Sequence, residues 1–220
     1  DECVGSTNRN PCRSSFVDDT KLAATTAAPV LPEDRAALSE YEAKRLLAAY
    51  GVPVVAETLA TNVAEAVAAA EALGYPVVLK ACGPNIRHKS DRGLVHVNLP
   101  DAQAVTAAAH AIAATLEGEP YDGVLVQPMA KGKREIIVGG VRDPFFGPCV
   151  MLGVGGIAVE ATGDVAFRLA PLDTRDALEM MEEVRARAVF GPFRGEPPVD
   201  RDALAGIVAA VGRLLLEQPR

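Results

Sequence analysis

The sequence has no tryptophan, and Phe and Tyr together supply only ten of its 220 residues. Proteins that hold single-stranded nucleic acid stack bases on aromatic side chains, and this chain is too poor in them to build such a platform. Basic residues are also in deficit: 22 Lys and Arg against 29 Asp and Glu leave a formal charge of −7. No global positive field exists to neutralise a phosphate backbone, so a general nucleic-acid binder is disfavoured, although a small local phosphate site is not. No apolar run approaches the ~20 residues needed to span a bilayer. The start, Asp1-Glu2, lacks the basic and apolar stretches of a secretory signal, so the reading is a soluble, cytoplasmic chain with no membrane partner. Cysteine is scarce too: Cys3, Cys12, Cys82 and Cys149 form no C-x-x-C pair, and no His stands at zinc-ligand spacing. Cys82 and Cys149 sit in apolar, strand-like contexts that predict buried free thiols.

Alanine is what the chain has in plenty, 38 residues of it, which points to closely packed helices. The length predicts one large domain or two small lobes, enough to bury a core without disulfides or a structural metal. Residues 1–37 show neither helical nor strand periodicity and read as a flexible tail or linker. Order begins at Ser39, which with Glu42 forms a capping box for a helix over 41–50 that stops at Gly51. Asn62 and Glu65 open a second helix that ends at Gly74, before Pro76 and a strand over 77–80. After the loop 83–93 and a strand over 95–99, Asp101 caps a helix over 102–116. Runs at 123–129, 135–141, 149–152, 157–160 and 165–169 read as strands, and helices over 173–189 and 200–217 close the chain. Strand–helix alternation is absent, so the fold class is α+β rather than a doubly wound parallel sheet.

Four stretches carry chemistry. Gly153-Val-Gly155-Gly156-Ile-Ala158 matches a dinucleotide fingerprint, but a strand and a turn follow it instead of a helix, so that reading is rejected. Its glycines fit close approach of the backbone to a ligand or another strand. The loop 83–93 places Arg87, Lys89 and Arg92 around His88, with Ser90 and flexible amides to complete an anion cradle. A solvated basic loop fits the same composition, but among clustered cations His88 is a credible phosphoryl acceptor or proton carrier. Lys80 ends an apolar strand and projects either into solvent or toward a phosphate. Lys131, Lys133 and Arg134, followed by Glu135, form a second basic patch after a strand, suited to a nucleotide or to a surface hairpin. Phe145 and Phe146 are expected in the core, and Glu160 with Asp164 is a possible magnesium pair or two solvated turn acids.

Taken in series, several segments resemble the ATP-grasp domain of NDP-forming acyl-CoA synthetases, the β subunit of ADP-forming acetate–CoA ligase. They are LSEYEAKRLL from Leu38, YGVP at 50–53, PVVLK at 76–80, IRHKSD at 86–91, EIIVG at 135–139, RDPFFGP at 142–148, MLGVGGIAVE at 151–160 and DVAFRLAP at 164–171. The resemblance runs in order over about residues 38–216. It implies an ATP-grasp fold, with lobes over about 38–122 and 123–220 gripping ATP or ADP and Mg2+. It puts Lys80, Arg87, Lys89, Ser90 and Gly93 at the nucleotide phosphates, Gln127, Met129 and Ala130 at the adenine, and Glu135 near the ribose. It makes His88 a second phosphohistidine and Glu160 a metal ligand. The implied reaction is acyl-CoA + ADP + phosphate ⇌ acid + CoA + ATP, with a CoA-binding α subunit or fused domain carrying the primary phosphohistidine. Leu94 stands where the family usually has glycine, beside the expected phosphate cradle. The chain stops at Pro219-Arg220, before the acidic strand with an Asn-Pro segment that holds magnesium in the family, and so reads as truncated. Both departures favour the alternative, a non-catalytic ATP-binding regulatory module, for example of a fused acyltransferase.

Overall fold

The computed structural model describes residues 37–86, 88–132, 134–156 and 163–218. The tail reading therefore falls almost wholly outside the described residues, as do Arg87, Lys133 and Glu160.

Helix α1, Glu40–Ala49, starts as its sequence predicts: the Ser39 hydroxyl accepts from Glu42 N and the Glu42 carboxylate accepts from Ser39 N. Gly51, at φ +84°, takes the left-handed turn that follows the helix. The first sheet is antiparallel with the order β1 (Thr58–Ala60), β4 (Gly123–Pro128), β2 (Val77–Cys82), β3 (Val95–Leu99). Helices α2 (Val63–Leu73) and α3 (Ala102–Thr115) pack on one face. Asn62 and Asp101 cap them, each accepting a backbone N–H three residues on. Ala66, Ala70, Ala108 and Ala109 meet Val77, Leu79, Ala81, Val124 and Val126 in a buried core. Small side chains on the helices let their backbones approach the sheet closely, which is where the alanine content is used. Alternation along β2 sends Val78, Lys80 and Cys82 to the opposite face, where α1 lies.

The second sheet is an antiparallel meander of β5 (Ile136–Asp143), β6 (Gly147–Val154) and β7 (Val165–Leu169). Helices α4 (Thr174–Glu183) and α5 (Arg201–Glu217) cover one face of it. Val150, Leu152 and Ala166 pack there against Ala177, Met180, Met181, Phe190, Leu204 and Val208. A Cβ on Gly140 would lie 2.7 Å from Leu215, so glycine lets α5 settle onto β5. Helix α1 joins the two halves: Leu47 packs on this second core, and Arg213 and Gln218 at the end of α5 donate to the Tyr50 carbonyl and hydroxyl. Among the described residues, no helix is long and apolar enough to cross a membrane.

Four expectations change. The strand at 123–128, grouped with the second lobe from sequence, is an inner strand of the first sheet, paired with both β1 and β2. The helix expected over 173–189 breaks at Val184, because the Asp164 carboxylate takes the amides of Arg185 (2.7 Å) and Ala186 (2.8 Å); a short 3-10 turn, Arg187–Phe190, follows. Phe145 and Phe146 are 91% and 72% exposed, not in the core. Asp143 accepts both their amides, which holds them in the β5–β6 turn, and that turn carries them away from the helices. Cys82 is fully buried as expected, but Cys149 only partly; both are free thiols.

Candidate nucleotide and phosphoryl-transfer site

The loop after β2 is anchored by its apolar residues. Ile86 is buried, and Leu94 is fully buried among Leu79, Val105 and Ile112 of the first core. Leu94 N donates to Lys89 O (2.8 Å) and Leu94 O accepts from Ala81 N (3.0 Å), closing the loop onto the strand. The Leu94 side chain therefore points into the first core, because the apolar core is the lower-energy place for a Leu side chain. Between these anchors His88, Ser90 and Gly93 stay exposed. His88 adopts φ +51°, a left-handed conformation that costs a non-glycine residue roughly 1–2 kcal/mol and is held here by the anchored ends. Gly93 has φ +67° with open space where a Cβ would be, so its backbone angle rather than crowding calls for glycine.

On the α1 side of the sheet, lysines converge from three elements. Glu40 Oε1 accepts from Lys44 (2.7 Å) of its own helix, and from Lys80 of β2 and Gln127 of β4 (both 3.4 Å). Its Oε2 accepts from Lys89 of the loop at 2.6 Å. Glu57 accepts from Lys44 (2.8 Å) and from Gln127 (2.6 Å). Burial by itself raises the pKa of the Glu40 carboxyl, but the hydrogen bonds from Lys44 and Lys89 and the charges of Lys80 and Lys44 outweigh it. They hold that carboxyl well below the usual carboxylate range. Burial likewise pulls the Lys44 pKa down, and Glu40 and Glu57 more than reverse it, leaving it raised. Such a set of ammonium groups can bind a polyphosphate.

The remaining predicted residues are placed as follows. Gln127 is buried, its amide spent on Glu57 and Glu40. Met129 N donates to Pro76 O (3.3 Å), and its sulfur accepts from Asn98 N (3.4 Å), while Ala130 is exposed. Glu135 lies at the start of the second sheet, its carbonyl accepting from Gly155 N at 2.7 Å. A Cβ on Gly155 would sit 3.0 Å from the Glu135 Cβ, so this glycine-rich turn serves close approach of two backbone segments, one of the roles read for it. Arg92 pairs with Glu119 (2.7 Å), and Arg134 donates to the carbonyls of Val189, Gly191 and Pro197. The Asp164 carboxylate accepts two backbone amides, and Glu160 lies outside the described residues. Among the described residues no group of three or more His, Cys, Asp or Glu is arranged to hold a metal ion. Glu40, Lys44 and Glu57 were not singled out from sequence. The only signal was Glu40 and Lys44 at i, i+4 in the first turns of α1.

Two antiparallel sheets backed by helices, with lysines gathered where the connecting helix begins, define a class, the nucleotide-gripping α+β proteins. Within it the chain belongs to the ATP-grasp family, whose profile, described as an ATP-grasp domain, matches residues 29–220. It is 45% identical to the β subunit of acetate–CoA ligase (ADP-forming) I of Pyrococcus furiosus, over 83% of this chain and 80% of that one. It is 41% identical to 4-hydroxybutyrate–CoA ligase (ADP-forming) of Nitrosopumilus maritimus, over 84% of this chain but 27% of that longer one. The chain thus spans most of a separate β subunit and about a quarter of a single-chain ligase. Among solved structures, a dinucleotide-forming acetyl-coenzyme A synthetase of Ca. Korarchaeum cryptofilum, in complex with coenzyme A and Ca-AMPCP, matches with TM-score 0.81 and 41% identity, over 84% of this chain and 83% of that one. The same synthetase with Mg-AMPPCP, its phosphohistidine segment pointing towards the nucleotide site, matches with TM-score 0.71 and 41% identity, over 81% of this chain and 78% of that one.

Proposed function

We propose that this chain is the nucleotide-binding and phosphoryl-transferring part of an ADP-forming acyl-CoA synthetase, running acyl-CoA + ADP + phosphate ⇌ acid + CoA + ATP. A CoA-binding subunit or fused domain supplies the acyl chemistry and the primary phosphohistidine. One observation supports the reading most: an exposed His88, on a loop anchored at both ends, adjoins Lys89, whose ammonium meets the same carboxylate as Lys80.

In the direction of ATP synthesis, an imidazole nitrogen of His88 attacks the phosphorus of the partner's phosphohistidine. The N–P bond on the partner breaks as the one on His88 forms. A terminal oxygen of the ADP β-phosphate then attacks that phosphorus, the His88 N–P bond breaks, and ATP is formed. Two short in-line transfers replace one long one, and each depends on positioning and charge neutralisation. Lys80 and Lys89, with Arg87, Ser90 and the Gly93 backbone, hold the phosphates. Gln127, Met129 and Ala130 border the base, and Glu135 receives the ribose hydroxyls. Magnesium would enter with the nucleotide and supply charge to offset the phosphates, and Glu160 would be this chain's ligand to it.

The test supplies a CoA-binding partner and radiolabelled phosphate with acyl-CoA. Wild-type chain acquires acid-labile label at His88, and His88→Ala loses both the label and ATP formation while still binding ADP. A His88→Ala chain that makes ATP at the wild-type rate removes the relay from the proposal. Nucleotide binding with no label in the wild type leaves a regulatory ATP-binding module as the function.

A further inference from the structure

The lysine cluster already holds an anion, and that anion is part of the protein. Glu40 is not needed to start its helix, because Ser39 and Glu42 cap α1 between them. Its carboxylate instead sits among donors from α1, β2, the histidine loop and β4. Those donors fall into two groups. Lys44 and the Gln127 amide are each held a second time by Glu57, at 2.8 and 2.6 Å, so they stay partnered without Glu40. Lys80 and Lys89 have Glu40 as their only carboxylate among the described residues. The side chains of Glu40, Lys80 and Lys89 are 24%, 28% and 17% exposed, so a ligand from solvent can reach the place where they meet.

We propose that Glu40 is an exchangeable internal anion, standing between Lys80 and Lys89 in the nucleotide-free protein at the position a nucleotide phosphate takes on binding. The inference rests on reading Lys80 and Lys89 as phosphate ligands, and adds how the empty site is kept and what a ligand must displace. With the site empty, the carboxylate offsets the mutual repulsion of the two ammonium groups and ties the His88 loop to α1. A singly charged anion offers the lysines no more than Glu40 does, whereas the linked charges of a diphosphate do. The exchange therefore selects polyphosphates over carboxylates and lone small anions. It also sets a definite trade: removing the Glu40 charge weakens the free protein and strengthens binding, since the ligand no longer has to displace anything.

The test compares the full chain with Glu40→Gln, which keeps the side chain's shape, by calorimetric titration with inorganic pyrophosphate and with ADP. Glu40→Gln melts at a lower temperature than wild type without ligand, yet binds both ligands about two- to fivefold more tightly, the scale of one partly screened ion pair. Unchanged or weaker binding by Glu40→Gln, when wild type binds, overturns the exchange and leaves Glu40 a residue that merely holds the lysines in place. If neither protein binds pyrophosphate or ADP, the phosphate reading of Lys80 and Lys89 fails with it. Should Glu40→Gln not fold, carbon-13 NMR of the glutamate carboxyls in wild type answers the same question. Saturating pyrophosphate moves the Glu40 resonance and leaves that of Glu57 in place, and an unmoved Glu40 resonance overturns the proposal.

Discussion

Leu94 follows the cationic stretch of the loop and is expected from sequence beside a phosphate, yet it is fully buried and its backbone ties the loop to β2. Its role is therefore to anchor. Truncating a Leu of this kind removes apolar contact and leaves a cavity, at a cost of about 2–5 kcal/mol. Leu94→Ala is accordingly expected to lower the unfolding free energy by that amount, read as an earlier denaturant midpoint, while ADP still binds. A variant of wild-type stability with altered nucleotide affinity alone would return Leu94 to the phosphate cradle. The same distinction between anchoring and binding separates Arg134, whose guanidinium is spent on three carbonyls, from Lys80 and Lys89, which face a single shared carboxylate.

Among the elements, the end of α4 shows how one side chain can divide a helix. Asp164, just before β7, captures the amides of Arg185 and Ala186, and the chain turns out of the helix at Val184. This is the capping chemistry of a helix start supplied by a residue some twenty positions earlier. Asp164→Ala is expected to cost about 1–2 kcal/mol, as losing a cap does, and to leave the Mg2+ dependence of nucleotide binding unchanged. Chemical denaturation and titration of ADP at several Mg2+ concentrations check the two halves of that statement. A raised Mg2+ requirement in Asp164→Ala would mean that the acid helps the metal after all.

Over the whole molecule, α1 is the element on which both halves depend. Its first turn carries Glu40 to the lysines over the first sheet, and in its last turn Leu47 packs into the second core. Tyr50, just beyond, receives the end of α5 through its carbonyl and hydroxyl. A helix so placed couples the stability of the two sheets. Leu47→Asp, which sets a carboxylate against the second core, is expected to split thermal unfolding into two calorimetric transitions. One sharp transition in that variant would show that other contacts carry the coupling.

What the sequence determined by itself is local. Ser39, Asn62 and Asp101 cap helices as their spacing predicts, and Asp173 and Asp200 cap the two that close the chain, since a cap needs only amides two or three residues on. The α+β class, the alanine-lined helices and the prominence of the 83–93 loop were legible for the same reason. Tertiary structure decided the rest. The three-residue strand β1 is too short to carry a period, and β4 joins the first sheet through partners at 58–60 and 77–82. Phe145 and Phe146 read as core by composition, and only the position of their turn leaves them exposed. The cluster itself joins Glu40 to residues 40, 49 and 87 positions away. Backbone capping acts within a turn of the chain, whereas ionic partners are chosen by which surfaces two sheets and one helix bring within about 3 Å.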